Sequence, residues 1–149
     1  MIDKTVKLKD VYQTAGEMRR LVEEYYNDLG NWLRVPLIDF YRFVCLLPYV
    51  PDPVGVETVS RPAYTLRPDY TPRDCDDKSV LIAAWCHGNG RKKRFVSTST
   101  KPDGRLCHVF VQLDNGLFID STYPKFKDYM GQYPYFPRVT RLEGLTEFF

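Results

Sequence analysis

The chain has 149 residues, a length that suits one domain and leaves little room for two. With 21 Lys+Arg against 19 Asp+Glu the formal charge is +2, which argues against the concentrated basic face of a nucleic-acid-binding domain. Apolar residues at 44% and charged residues at 27% exclude wholesale disorder, and eleven Tyr, nine Phe and two Trp are enough to fill a core.

Residues 5–29 read as an amphipathic helix, with Val11, Ala15, Met18, Leu21, Val22 and Tyr25 at helical spacing and Gly30 as its stop. A second helix is expected from about Pro36 to Leu47, buried along Leu37, Phe40, Tyr41, Val44 and Cys45. Residues 48–74 hold six prolines and little periodicity. Their aromatic content favours an ordered extended segment; the alternative is a linker. Residues 75–87 contain an unbroken apolar run, Val80 to Cys86, so this helix is expected to be buried almost all round, capped by Asp74 and stopped by Gly88-Asn89-Gly90.

Beyond it the period changes to two. Strands are expected at Phe95–Thr100, Leu106–Leu113 and Leu117–Ser121, with turns at residues 101–104 and 114–116. Residues 126–149 are rich in aromatics and read as a packed cover, with a short edge strand near Arg138 to Leu142. The basic run Arg91-Lys92-Lys93-Arg94 reads as a solvated loop at a helix C-terminus. The expected architecture is α+β in one domain over residues 1–149. Residues 1–74 form a helical and extended part, 75–125 a cysteine-bearing helix with a hairpin on an antiparallel sheet, and 126–149 the cover.

No apolar run reaches the roughly 18 residues that a membrane span needs. Residues 1–5 show no leader pattern, so the expected location is the cytoplasm, with no membrane partner. The four cysteines, Cys45, Cys75, Cys86 and Cys107, have no C-x-x-C spacing and are expected to be reduced thiols. With only two histidines and no paired ligand spacing, no metal site is expected, and no cofactor is implied.

Cys75 falls in the first turn of the apolar helix, where unpaired N–H groups and the helix dipole favour a thiolate. It reads either as a nucleophile or as a structural thiol; inside apolar helices, Cys45 and Cys86 read as structural. His87 lies about three turns from Cys75, on the order of 18 Å by helical rise, too far to serve it. His108 is the remaining candidate base, although a strand histidine can equally be structural. Asp120 is an acid at the end of an otherwise apolar strand.

Register decides whether His108 and Asp120 meet. A three-residue loop, Asp114-Asn115-Gly116 with Gly116 left-handed, sets Leu113 against Leu117 and Phe110 against Asp120. His108 and Asp120 are then diagonal neighbours on one face, about 7–8 Å apart at the backbone. A two-residue loop would place them on opposite faces. The same alternation turns Cys107 toward the core. In this constellation His108 takes the proton of Cys75, Asp120 orients the imidazole, and the Cys75 N–H helps hold an oxyanion. Tyr64 and Tyr70 are candidates for a second oxyanion donor, each also readable as packing; Asp74 is a candidate substrate contact beside the nucleophile.

With these residues the chain resembles the transglutaminase-like superfamily of papain-fold cysteine enzymes. The resemblance is carried by Asp74-Cys75-Asp76-Asp77-Lys78-Ser79-Val80-Leu81, by His108-Val109-Phe110-Val111 and by Leu117 to Thr122, with Cys, His and Asp in order, 33 and then 12 residues apart. It covers roughly residues 35–125 and is closest to compact microbial and phage-encoded members. Arg73 stands where the family usually has glycine, and no acidic loop of calcium-binding type is found. The resemblance implies a papain-like core, a Cys75–His108–Asp120 triad and a peptide or protein substrate. It favours a cysteine peptidase or amidase. Resolution of the acyl-enzyme by an amine would make a crosslinking transglutaminase instead, and a non-catalytic binding or assembly module is a third reading. The oligomeric state is not legible.

Overall fold

The computed structural model describes residues 4–6, 10–53, 57–69, 72–99, 101–122 and 139–149. Tyr70 and the aromatics from Tyr123 to Phe136 lie outside the described residues.

Helix α1 spans Val11–Tyr25, not the whole of residues 5–29. Asp10 sets its start: its backbone is extended, and its Oδ1 accepts the Gln13 N–H at 2.9 Å, a side-chain N-cap. Upstream, Lys4–Val6 form strand β1, antiparallel to β2 (Glu57–Val59). Beyond α1 a 3-10 stretch, Tyr26–Arg34, carries the chain through Gly30, whose φ of +55° is open to glycine at no steric cost. Helix α2, Leu37–Leu46, follows Pro36 and buries Phe40, Tyr41, Val44 and Cys45.

The proline-rich segment is tied into the fold rather than linking two bodies. It contains β2 and a one-turn helix α3 (Pro62–Thr65). The Arg61 guanidinium donates two hydrogen bonds to Asp28, at 2.9 and 2.8 Å. Val50 and Arg73 exchange backbone hydrogen bonds of 2.7 Å in both directions. The Arg73 side chain, 2% exposed, donates to the carbonyls of Thr65 (3.0 Å), Pro48 (3.3 Å) and Arg67 (2.9 Å). An arginine where a glycine was looked for therefore fixes the approach to the next helix.

That helix, α4 (Cys75–Gly88), is buried from Asp76 to Cys86. Asp74 and Asp77 form a capping box: Asp74 Oδ1 accepts from the Asp76 and Asp77 N–H groups, and Asp77 Oδ2 accepts the Asp74 N–H. It packs against α1, α2, α3 and the 3-10 stretch on one side and against the sheet on the other. The sheet has four antiparallel strands in the order β5-β4-β3-β6, where β3 is Lys93–Ser99, β4 His108–Leu113, β5 Phe118–Ile119 and β6 Arg141–Gly144. The described residues thus hold four helices and this sheet, a mixed α and β architecture with the core between α4 and the strands. None of their helices is long and apolar enough to cross a membrane.

Three expectations are corrected. Only Arg91 and Lys92 of the basic run lie in the loop: Lys93 opens β3 and is 1% exposed, its Nζ lying 2.6 Å from His87 Nδ1, and Arg94 donates to Gln112 Oε1 at 2.9 Å. Cys107 is exposed, not core, because β4 begins one residue later and strand alternation does not govern it. The C-terminal edge strand lies at Arg141–Gly144, where it pairs with Val96–Ser99.

Replacing Arg73 by Met keeps the aliphatic stem and strands three carbonyls. A loss of about 3 kcal/mol is expected, read as a lower urea midpoint with an unchanged denaturant slope.

Candidate active site

The capping box consumes most of the α4 N-terminus. The N–H groups of Asp76 and Asp77 go to Asp74 Oδ1, and that of Lys78 goes to the Asp74 carbonyl at 3.1 Å. Among the described residues the Cys75 N–H has no acceptor, so it is the first-turn amide left to serve an incoming group. The Cys75 side chain, half-buried, meets the backbone N–H of Val109, which follows His108 on β4. The Val109 carbonyl accepts the Ser79 hydroxyl at 3.1 Å. One turn of α4 is thereby fastened to the start of β4.

The β4–β5 hairpin turns through a three-residue loop. The Gly116 N–H donates to the Leu113 carbonyl at 3.0 Å, Gly116 has φ +94°, and the Leu113 N–H donates to the Leu117 carbonyl at 2.8 Å. Val111 consequently faces Ile119 and Gln112 faces Phe118, which leaves His108 and Asp120 on one face. His108 Nε2 lies 2.7 Å from Asp120 Oδ2, with the two residues 5% and 1% exposed. Asp120 is held from two further directions. Its Oδ1 accepts the Thr122 N–H at 3.0 Å, and its carbonyl accepts the Tyr41 hydroxyl at 3.0 Å. An ionised Asp120 is acceptor-only, so Nε2 carries the hydrogen and Nδ1 keeps the lone pair. The imidazole stacks against Phe110, ring centroids 5.5 Å apart.

Cys75 and His108 line one cavity of about 400 Å³, together with Asp10, Met18, Tyr49, Glu57, Asp74, Asp76, Cys107 and others. Asp74 thus borders the cavity while its carboxylate caps the helix. Tyr64 does not line it; its ring lies 5.6 Å from the Arg61 guanidinium on α3. Sequence reasoning passed over Tyr49, Glu57 and Asp10. They come from three separate segments, and only the folded chain puts them beside Cys75. His87, at the far end of α4, packs edge-on against Tyr26.

The electrostatics overturn one expectation. The Cys75 thiol at the helix N-terminus is raised, not lowered. Burial pushes it well up, and the carboxyls of Asp76 and then Asp74 push the same way, against the Val109 N–H. The acids are themselves displaced. Burial, and next the nearby Asp52, raises Asp74 to about 7; burial and then Asp74 hold Asp76 and Asp77 well above the ordinary carboxyl range. Asp77 Oδ1 is buried without a hydrogen-bond partner. Lys78, 1% exposed, directs Nζ at the carbonyls of Cys45 and Ser121, both at 3.5 Å, and burial lowers it to about 8.

Among the described residues no group of three or more His, Cys, Asp or Glu is arranged to hold a metal ion. Comparison with protein-family models, with curated proteins and with solved structures gives no match.

Two outcomes follow from these charges. In a Cys107→Ser background, Asp76→Asn removes a carboxyl that opposes the thiolate, so the iodoacetamide rate profile of Cys75 moves to lower pH, read by mass spectrometry of the alkylated peptide. Lys78 binds its proton less tightly folded than unfolded. Its burial therefore costs stability below pH 8, and the cost is relieved as pH rises from about 8 to 10.5, where the unfolded chain holds more protons. The stability difference between wild type and Lys78→Met should shift by roughly 2–3 kcal/mol in favour of wild type across that window. Urea unfolding at pH 7.5 and 10.5 measures it.

Proposed function

We propose that the protein is a thiol-dependent acyl-transfer enzyme that hydrolyses an amide bond in a peptide or protein, a cysteine peptidase or amidase resembling the transglutaminase-like superfamily with its papain-like core. The observation that carries this reading is the His108–Asp120 hydrogen bond of 2.7 Å, with His108 and Cys75 on the wall of one cavity. Its free thiols suit the reducing cytoplasm.

Cys75 is the nucleophile, His108 the base and Asp120 its orienting partner. His108 Nδ1 takes the Sγ proton as sulfur bonds to the substrate carbonyl carbon, and the oxyanion draws on the Cys75 N–H. Collapse breaks the carbon–nitrogen bond, and the imidazolium returns its proton to the departing amine. Water, deprotonated by the same nitrogen, then attacks the thioester and releases the acid and the thiol. Because burial and acids oppose a resting thiolate, the proton has to leave for His108 during attack. Asp120 supports the imidazolium formed at that moment.

The test pairs wild type with Cys75→Ala, His108→Ala and Asp120→Asn. Amide hydrolysis, read as released amine, is expected in wild type and absent in Cys75→Ala. His108→Ala should slow Cys75 alkylation while leaving exposed Cys107 unaffected. Removal of a positioned base costs on the order of 10²–10⁴-fold in the chemical step. Equal alkylation of Cys75 in wild type and His108→Ala would sink the proposal.

A further inference from the structure

We propose that Lys78 is a positioning residue of the site: it fastens the cysteine-bearing helix to the chain just after Asp120 and sets a buried positive charge behind the carboxylate that orients His108. This rests on the acyl-transfer reading above, in which Asp120 supports an imidazolium. Lys78 follows Cys75 by less than one turn of α4, so the same helical turn carries the nucleophile and this ammonium.

A lysine at 1% exposure is costly unless its ammonium has partners. Its Nζ is directed at two carbonyls, that of Cys45 on α2 and that of Ser121, each 3.5 Å away. Ser121 directly follows Asp120, whose own carbonyl accepts the Tyr41 hydroxyl at 3.0 Å. Consecutive carbonyls at the carboxylate-bearing residue are thus gripped from two helices, Asp120 from α2 and Ser121 from α4. These anchors fix where the Asp120 side chain begins. The bonds of Oδ1 to the Thr122 N–H and of Oδ2 to His108 Nε2 fix where it ends.

A neutral donor can serve two carbonyls; the charge has a use of its own. Asp120 is 1% exposed, and a neutral imidazole gives it a hydrogen bond without a counter-charge. Burial lowers Lys78 to about 8, which leaves it largely protonated at neutral pH, and Asp120 is among the groups that favour its charged form. The attraction is mutual, so the ammonium favours a negative carboxylate in return. When the proton of Cys75 passes to His108, the imidazolium meets an Asp120 already ionised and already aimed. Lys78 does not line the cavity; it acts through Asp120.

The experiment reads the two histidine rings of the isotopically labelled full chain by long-range nitrogen–proton NMR correlation. Wild type should show His108 with its hydrogen on Nε2, exchanging slowly with water. His87, at the far end of α4, is the internal standard for the fold. Lys78→Met removes the charge and the donors at nearly equal volume, and it relieves the desolvation of an ammonium, so it is expected to fold. In this variant the His108 Nε2 hydrogen should exchange about tenfold faster, the scale of one lost hydrogen bond to a charged group, with His87 unchanged. Lys78→Arg, which keeps charge and donors, should restore slow exchange; Lys78→Gln, which keeps a donor without the charge, should not. In a Cys107→Ser background, iodoacetamide alkylation of Cys75 should slow by a similar factor in Lys78→Met and recover in Lys78→Arg. His108 exchange in Lys78→Met equal to wild type, or restored by Gln as fully as by Arg, overturns the assignment. A disturbance that spreads to His87 marks general loosening and overturns it too. If His108 responds as expected while Cys75 alkylation is the same in wild type and His108→Ala, Lys78 keeps its place behind Asp120 and the enzymatic reading falls.

Discussion

The hydrogen bond between His108 and Asp120 depends on the number of residues in one turn. Because side chains alternate faces along a strand, a one-residue slip between β4 and β5 would send Asp120 through the sheet. The left-handed Gly116, at φ +94°, closes the loop at three residues and fixes the pairing of Val111 with Ile119. Both partners are then buried, Asp120 almost completely, and its remaining acceptors are claimed by Thr122 and Tyr41. With Oδ2 on the imidazole and Oδ1 on the Thr122 N–H, the carboxylate cannot turn away without leaving buried donors unsatisfied, while the Tyr41 hydroxyl anchors the Asp120 main-chain carbonyl. Local turn chemistry thus sets a contact on which the site reading depends.

The other half of the site depends on burial of α4. A helix apolar on every side is held by the α layer and the sheet together, and its N-terminus is delivered against the start of β4. The contact of Cys75 with the Val109 N–H and the Ser79–Val109 hydrogen bond are consequences of that placement. Its cost is electrostatic. Three carboxyls cap and crowd the same helix end, and they cancel for the thiol the stabilisation that a bare N-terminus would give. Arg73 and Lys78, one on each side of the acids in sequence, spend their hydrogen bonds on carbonyls instead.

Much of this was legible in the sequence where a single local rule applied. The apolar run Val80–Cys86 specified a buried helix, Asp74 its cap, and Asp114-Asn115-Gly116 the turn. What escaped was set by distant partners. Lys93 sits in a basic run, and only the opposed His87 and the Phe149 ring, 4.0 Å from its Nζ, explain why it is buried. Cys107 lies one residue before β4, so the alternation read through it does not hold. The helix expected from residue 5 begins only at Val11, because pairing of Lys4–Val6 with β2 and the cap at Asp10 took precedence. The charge on the cavity wall could not be read at all, since Asp10, Glu57 and Asp76 are brought together from separate segments.

The acidic wall bears on how a thiol at this position would react. Asp76 is the first charge acting against the Cys75 thiolate, after burial itself. Under the proposed acyl transfer the thiol therefore gives up its proton only as sulfur attacks, and the imidazolium formed on His108 is the group that the buried Asp120 carboxylate is placed to support at that moment.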